Sequence, residues 1–129
     1  MAPEENPQGQ DLVKKFLVIT RRAPFGSAQG REALDVVLMA SAFSRVSLLF
    51  MGDGIFQLKN GQDGSSLGIK DYSPAFAALE QYEVTDILVS APDLEDRGMT
   101  TADLVIPVAT VDAQAIRQLI LANDIVLSF

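Results

Sequence analysis

The side chains that could do chemistry here are few. Among 129 residues there is no cysteine, no histidine and no tryptophan. Without cysteine there is no thiolate nucleophile, no disulfide framework, no Cys₄ zinc site and no iron–sulfur cluster. Without histidine there is no Ser-His-Asp or Cys-His pair, no imidazole metal ligand and no unperturbed switch near neutral pH. Carboxylates, hydroxyls, lysines, arginines, two tyrosines and backbone N–H groups remain. That inventory argues against an enzyme acting alone.

Three segments place such groups at suggestive spacing. The first is Arg21–Glu32, RRAPFGSAQGRE. Gly26, Ser27 and Gly30 ahead of a helix invite a phosphate site, because helix N-termini at the carboxyl ends of strands bind anions. A P-loop, however, needs four residues between its glycines and then Lys and Ser/Thr. Here three residues separate Gly26 from Gly30, and Arg31 and Glu32 follow. A flavin-phosphate loop using Thr20, Ser27 and backbone N–H groups remains the alternative, but a structural turn giving tight entry into the helix is favoured over it. The second segment is Asp53-Gly54-Ile55-Phe56-Gln57-Leu58. Asp53 has no sequence partner for acid–base work, and Asp53-Gly54 is turn chemistry. Apolar residues anchored by such a turn suit a protein–protein contact. The third, Glu95-Asp96, reads as exposed loop; a hard-metal site would need more oxygen ligands at defined spacing. No metal and no cofactor is expected.

The elements that position these segments follow from apolar patterning. Apolar runs at Lys15–Thr20, Val46–Met51, Thr85–Ser90, Ala102–Pro107 and Asp124–Ser128 predict five strands, and the continuous run of the first suits a strand covered on both faces. Helical spacing runs over Gln29–Phe43, with Leu34, Val37, Leu38 and Ser41 on one face and Ala33, Val36, Ala40 and Phe43 on another. So wide an apolar surface exceeds what one sheet face requires. Either a partner subunit covers the second face or the domain wraps the helix itself. Gly54–Lys59 reads as a short helix or edge strand. Ser73-Pro74 is a helix start, Asp93–Arg97 a helical turn ended by Gly98, and Asp112–Asn123 a helix with Ala113, Ile116, Leu119 and Ile120 inward. Strand–helix alternation implies a parallel sheet with right-handed crossovers, a three-layer α/β sandwich of the flavodoxin-like kind. The order expected for five strands is 2-1-3-4-5. Residues 13–129 form this one domain, and residues 1–12 a polar, acidic, disordered tail.

Hydrophobic residues make up 48%, enough for a packed core. The net charge of −7 disfavours direct nucleic-acid binding. It is unevenly spread, at +4 over Lys14–Arg45 and −8 over Val46–Phe129. The first residues are acidic rather than basic and apolar, and no apolar run approaches the roughly 20 residues that span a bilayer. A cytoplasmic protein with no membrane contact is expected.

Taken in order, several segments resemble a known family. They are Lys14-Lys15-Phe16, Arg22-Ala23-Pro24-Phe25-Gly26 and Glu32-Ala33-Leu34-Asp35-Val36-Val37-Leu38, then Asp53 to Leu58, Gly61-Gln62-Asp63 and Ser73-Pro74. Tyr82-Glu83-Val84, Leu94-Glu95-Asp96-Arg97-Gly98 and Ser128-Phe129 complete the set. Together they resemble the DsrE/DsrF-like family, and within it the DsrF/TusC-type subunits. The resemblance implies a five-stranded parallel domain in a cytoplasmic heterohexamer with DsrE/TusD-type and DsrH/TusB-type subunits. In that family a cysteine persulfide on a DsrE/TusD-type chain carries sulfur toward a DsrC/TusE-type acceptor, for sulfur oxidation or tRNA 2-thiouridine formation. A persulfide needs a sulfur nucleophile, and thioethers such as Met39, Met51 and Met99 cannot supply one. The chain is therefore expected to be a non-catalytic subunit. Phe25, Leu34, Val37, Phe43, Asp53, Ile55, Phe56 and Leu58 are the candidate subunit-interface residues.

Overall fold

Residues 14–23, 29–59, 79, 84 and 86–129 are described by the computed structural model, with side chains omitted at 29–31. The helix expected from Ser73-Pro74, the tail and Phe25 lie outside them. Five short apolar strands form one parallel sheet: β1 (Lys15–Thr20), β2 (Arg45–Phe50), β3 (Asp86–Ser90), β4 (Ala109–Val111) and β5 (Ile125–Ser128). Between them lie α1 (Gln29–Ala40), a 3₁₀ segment Gly52–Leu58, α2 (Ala91–Asp96), a 3₁₀ turn Thr101–Asp103 and α3 (Ala113–Ala122). The α/β architecture with five parallel strands agrees with the sequence reading.

The strand order differs from the expected one. It is β4-β3-β2-β1-β5 rather than 2-1-3-4-5. From β1 to β4 each strand is laid beside the last in one direction, so right-handed crossovers put their connections on one face. Only the step from β4 back to the far edge reverses, so α3 lies on the other face. The two faces are accordingly unequal. On the first, Val18, Leu48, Phe50 and Val89 pack with Ala33, Leu34, Val37 and Ala40 of α1 and Leu94 of α2 in the larger core. On the second, Leu17, Ile19, Leu49 and Leu88 meet, among the described residues, Met51, Val111 and Ile116 and Leu119 of α3. The strands bury both faces, which is why they read as continuous apolar runs rather than alternating ones.

A second difference concerns Ala102–Pro107, which is not a sheet strand. Thr101–Asp103 is a 3₁₀ turn closed by a capping box, the Asp103 carboxylate accepting from the Thr100 N–H at 2.9 Å. Leu104 then plugs the larger core and bridges Lys59 in antiparallel sense. The Val105 N–H donates to the Leu58 carbonyl at 2.7 Å. The run is apolar because it seals the core, and Pro107 has no N–H to give a ladder. The fourth strand comes afterwards and is only three residues long.

Helix ends follow the expected chemistry. Asp112 caps α3, its carboxylate accepting from the Ala115 N–H at 2.8 Å. Ser90 caps α2 at 3.4 Å to the Asp93 N–H, with a proline in the first turn. Gly98 ends the turn after α2 in the left-handed region at φ +66°. On α3 the inward pair is Ile116 and Leu119, whereas Ala113 is exposed and Ile120 is 42% exposed, contrary to the expectation for those two. No residue of α3 is fully buried, so the helix has little packing to compensate for a lost cap. Asp112→Ala is therefore expected to cost about 1 kcal/mol, read as a shifted urea midpoint at unchanged slope.

Candidate functional site

In open α/β sheets the functional edge lies at the carboxyl ends of the strands. Here that edge is built by the end of β1, the 3₁₀ segment after β2, the start of α2 and the end of β5. The Met51 N–H donates to the Thr20 carbonyl at 3.1 Å, carrying the β1–β2 pairing past the strands. The chain then turns at Gly52, φ +55°, whose N–H donates to the Asp93 carboxylate at 2.9 Å. Gly54 lies against the backbone of β1. A Cβ there would stand 2.7 Å from the Thr20 carbonyl carbon, closer still to its oxygen, and 3.1 Å from Arg21 Cα. A residue with any side chain would push the segment off the strand.

That close approach delivers Gln57 to the interior. Gln57 is 2% exposed and Thr20 1%. The Gln57 Nε2 group donates to Thr20 Oγ1 at 2.7 Å and to the Arg22 carbonyl at 2.8 Å. Its Oε1 has no partner among the described residues. Both amide hydrogens are engaged, so a flip would set Oε1 against the Arg22 carbonyl; the orientation is fixed by these two acceptors. The outer side of the segment is held by Arg97. Its Nη2 and Nε donate to Asp53 Oδ1 at 2.9 and 3.3 Å, and Nη1 donates to the Asp93 carbonyl at 3.1 Å. Its guanidinium stands 6.0 Å from the centre of the Phe56 ring.

The structure sorts the candidate interface residues into three groups. Asp53, Ile55, Phe56 and Leu58 are brought together on the 3₁₀ segment, but Ile55 and Leu58 are fully buried in the larger core. Phe56 is half-buried and packs on the same core. Leu34 and Val37, on α1, are 4% and 0% exposed and form part of the monomer's own interior. Phe43, in the turn after α1 at the opposite edge of the sheet, is 71% exposed, and the Asp53 side chain 62%. A partner could touch Phe43, Asp53 and part of Phe56; the buried four can only hold those in place. The helix of Gln29–Phe43 ends at Ala40, and its uncovered apolar residue is Met39, 69% exposed.

Sequence reasoning missed Gln57 and Arg97. Gln57 stands between Phe56 and Leu58, and nothing local in the sequence reports that its amide turns inward to β1. Arg97 faces acids 44 and 4 positions away, and only the fold joins the distant one. For the flavin-phosphate alternative, Thr20 offers nothing, since its hydroxyl is buried and bonded to Gln57; Ser27 lies outside the described residues. Among the described residues no group of three or more carboxylates could hold a metal, and no helix is long and apolar enough to cross a membrane.

Comparison with known proteins agrees with this geometry. The sequence profile of the DsrE/DsrF-like family matches residues 14–129. The chain is 46% identical over 96 residues to the intracellular sulfur oxidation protein DsrF of Allochromatium vinosum, covering 74% of this chain and 71% of that one. It is 37% identical to a TusC homolog of Vibrio vulnificus over 118 residues, 91% of this chain and 100% of the relative. A TusC homolog of Pseudomonas aeruginosa is 38% identical over 118 residues, 91% of this chain and 99% of that one. In three dimensions the chain resembles the ychN protein from E. coli, with a TM-score of 0.77 over 91% of this chain and all of that one at 20% identity. That level of identity speaks to the fold alone.

Proposed function

The chain belongs to the DsrE/DsrF-like family, and from that premise we propose that it is a non-catalytic subunit of a cytoplasmic sulfur-relay complex. Sulfur travels there as a persulfide on cysteines of partner subunits, and this chain supports its transfer to a DsrC/TusE-type acceptor. The partners are DsrE/TusD-type and DsrH/TusB-type chains in a heterohexamer. The pathway served is sulfur oxidation or tRNA thiolation. The observation that carries the reading is the absence of any cysteine in a member of this family, because persulfide exchange proceeds through a thiolate. The exposed residues Met39 and Phe43, large and apolar beyond what the monomer covers, support a subunit that needs neighbours.

Co-expression with the genes beside it tests the proposal. The expected result is a stable assembly of three different chains, with added persulfide mass on one or both partners. A chain that purifies yellow with bound flavin, or as a homo-oligomer that ignores those partners, would overturn it.

A further inference from the structure

β1 lies beside β5 in the sheet, and open α/β sheets take their ligands at the carboxyl ends of their strands. Arg21 and Arg22 stand at that edge, directly after β1. Their backbone is unusually well fixed. The Arg21 N–H donates to the Phe129 carbonyl at 2.9 Å, beside the end of β5. The Arg22 carbonyl accepts from the buried Gln57 amide at 2.8 Å. Gly54 abuts Arg21 Cα, leaving no room for the dipeptide to settle inward. Two separate elements, the end of β5 and the 3₁₀ segment, thus immobilise two residues whose side chains make few contacts among the described residues. Both side chains are exposed. Arg21 Nε donates to Ser128 Oγ at 3.0 Å, and among the described residues neither guanidinium has a carboxylate partner. The chain has 17 acids, and Arg97, on the same edge, holds Asp53 closely. Among the described residues, then, these two guanidiniums lack a carboxylate partner although carboxylates stand on the same edge.

We propose that Arg21 and Arg22 form a preorganised docking site for a carboxylate-rich segment of another protein. A guanidinium pairs with carboxylate in a planar fork, and a fixed backbone lowers the ordering cost of binding. A small free anion is a poor occupant. Both arginines lie at the open rim, and the nearby Thr20 hydroxyl is committed to Gln57. A nucleic acid is also disfavoured, because a long polyanion would extend over a body of net charge −7. Exposed charges of this kind speed and orient encounters more than they hold obligate assemblies together. The partner is therefore a transient visitor. The site stands on this geometry and not on the sulfur-relay reading.

Titration of the full-length chain, followed through its arginine Nε–Hε NMR signals, tests the proposal. The probes are a glutamate-rich peptide, its glutamine-substituted twin, inorganic phosphate and an oligothymidine. At low ionic strength the glutamate peptide should shift Arg21 and Arg22 more than Arg45 or Arg117, and the glutamine twin should not. Raising salt to about 0.15 M should weaken binding. Arg21→Gln with Arg22→Gln should weaken it about tenfold, since exposed pairs contribute modestly, with the backbone spectrum otherwise unchanged. Gln57→Ala should remove the preference for Arg22 over Arg45; if that variant does not fold, the arginine variants decide alone. Equal shifts at all arginines, no loss in the double variant, or tighter binding of phosphate or oligothymidine would each overturn the proposal.

Discussion

Gly54→Ala is expected to lower folding stability by about 3 kcal/mol, a fall in Tm of roughly 10 °C for a chain of this length. The added methyl would stand 2.7 Å from the carbonyl carbon of Thr20 and nearer its oxygen. Backbone cannot rotate away as the end of a flexible side chain can. Relief requires the 3₁₀ segment to lift from β1, which strains three bonds together. These are Met51 N–H to Thr20 at 3.1 Å and the Gln57 amide to Thr20 and Arg22 at 2.7 and 2.8 Å. Lifting would also draw Ile55 and Leu58 from the core, where both are fully buried. The other described glycines make internal controls. Gly98 has φ +66° and open space around it, so Gly98→Ala meets only the left-handed penalty of about 1 kcal/mol. Gly52, at φ +55° with Arg21's carbonyl at 3.6 Å, should behave similarly. Urea denaturation of the three variants should rank Gly54→Ala well below the others; equal losses would refute the packing account.

The same position shows how far the sequence could be read. Asp53-Gly54 was legible as a turn, because those residue types favour turns. That Gly54 serves a close approach rather than a backbone angle depends on where β1 lies, and nothing local reports that. Strands were legible where both faces are buried: KFLVIT, RVSLLF and DILVS carry consecutive apolar residues because both sides of the sheet are covered there. The fourth strand was not, because ATV is short, at an edge and partly exposed, while Leu104 nearby is apolar for another reason. Strand order was also out of reach. The periodicity of a helix says that it crosses from strand to strand, and handedness then ties its face to the direction of the step. The direction itself is chosen by packing. One signal was present: the wide apolar surface on α1 beside the narrow stripe on α3 matches a sheet whose two faces are unequally covered. At the functional edge, the family resemblance singled out the stretch from Asp53 to Leu58. It could not separate Phe56 and Asp53, which meet solvent, from Ile55 and Leu58, which do not. In a 3₁₀ segment side chains three apart eclipse, so Ile55 and Leu58 share the inward direction and Asp53 and Phe56 share another.

Met39→Asp combined with Phe43→Asp is expected to leave the monomer folded and to weaken its retention by partner subunits about thirtyfold or more. The first half follows from exposure. At 69% and 71% exposed, these side chains contribute little to the monomer's core, and surface substitutions of this kind usually stay within about 0.5 kcal/mol. The second half follows from what they would do in an assembly. Met39 lies on α1 and Phe43 four positions later in the turn that follows it, and both are large, apolar and exposed. Interface hot spots are few, are enriched in large side chains, and cost about 2 kcal/mol or more when truncated; a buried, unpaired carboxylate adds a desolvation penalty. Leu34→Asp makes the necessary contrast, because Leu34 is 4% exposed in the larger core. That variant should lose the fold itself, and its loss of partners would report nothing about an interface. Leu121, 78% exposed on α3, gives a second contrast on the other side of the sheet. If Leu121→Asp releases one partner chain and the Met39/Phe43 variant releases another, the subunit uses both faces at once. If the doubly substituted chain co-purifies with its partners as tightly as the parent, the turn after α1 is not a subunit contact.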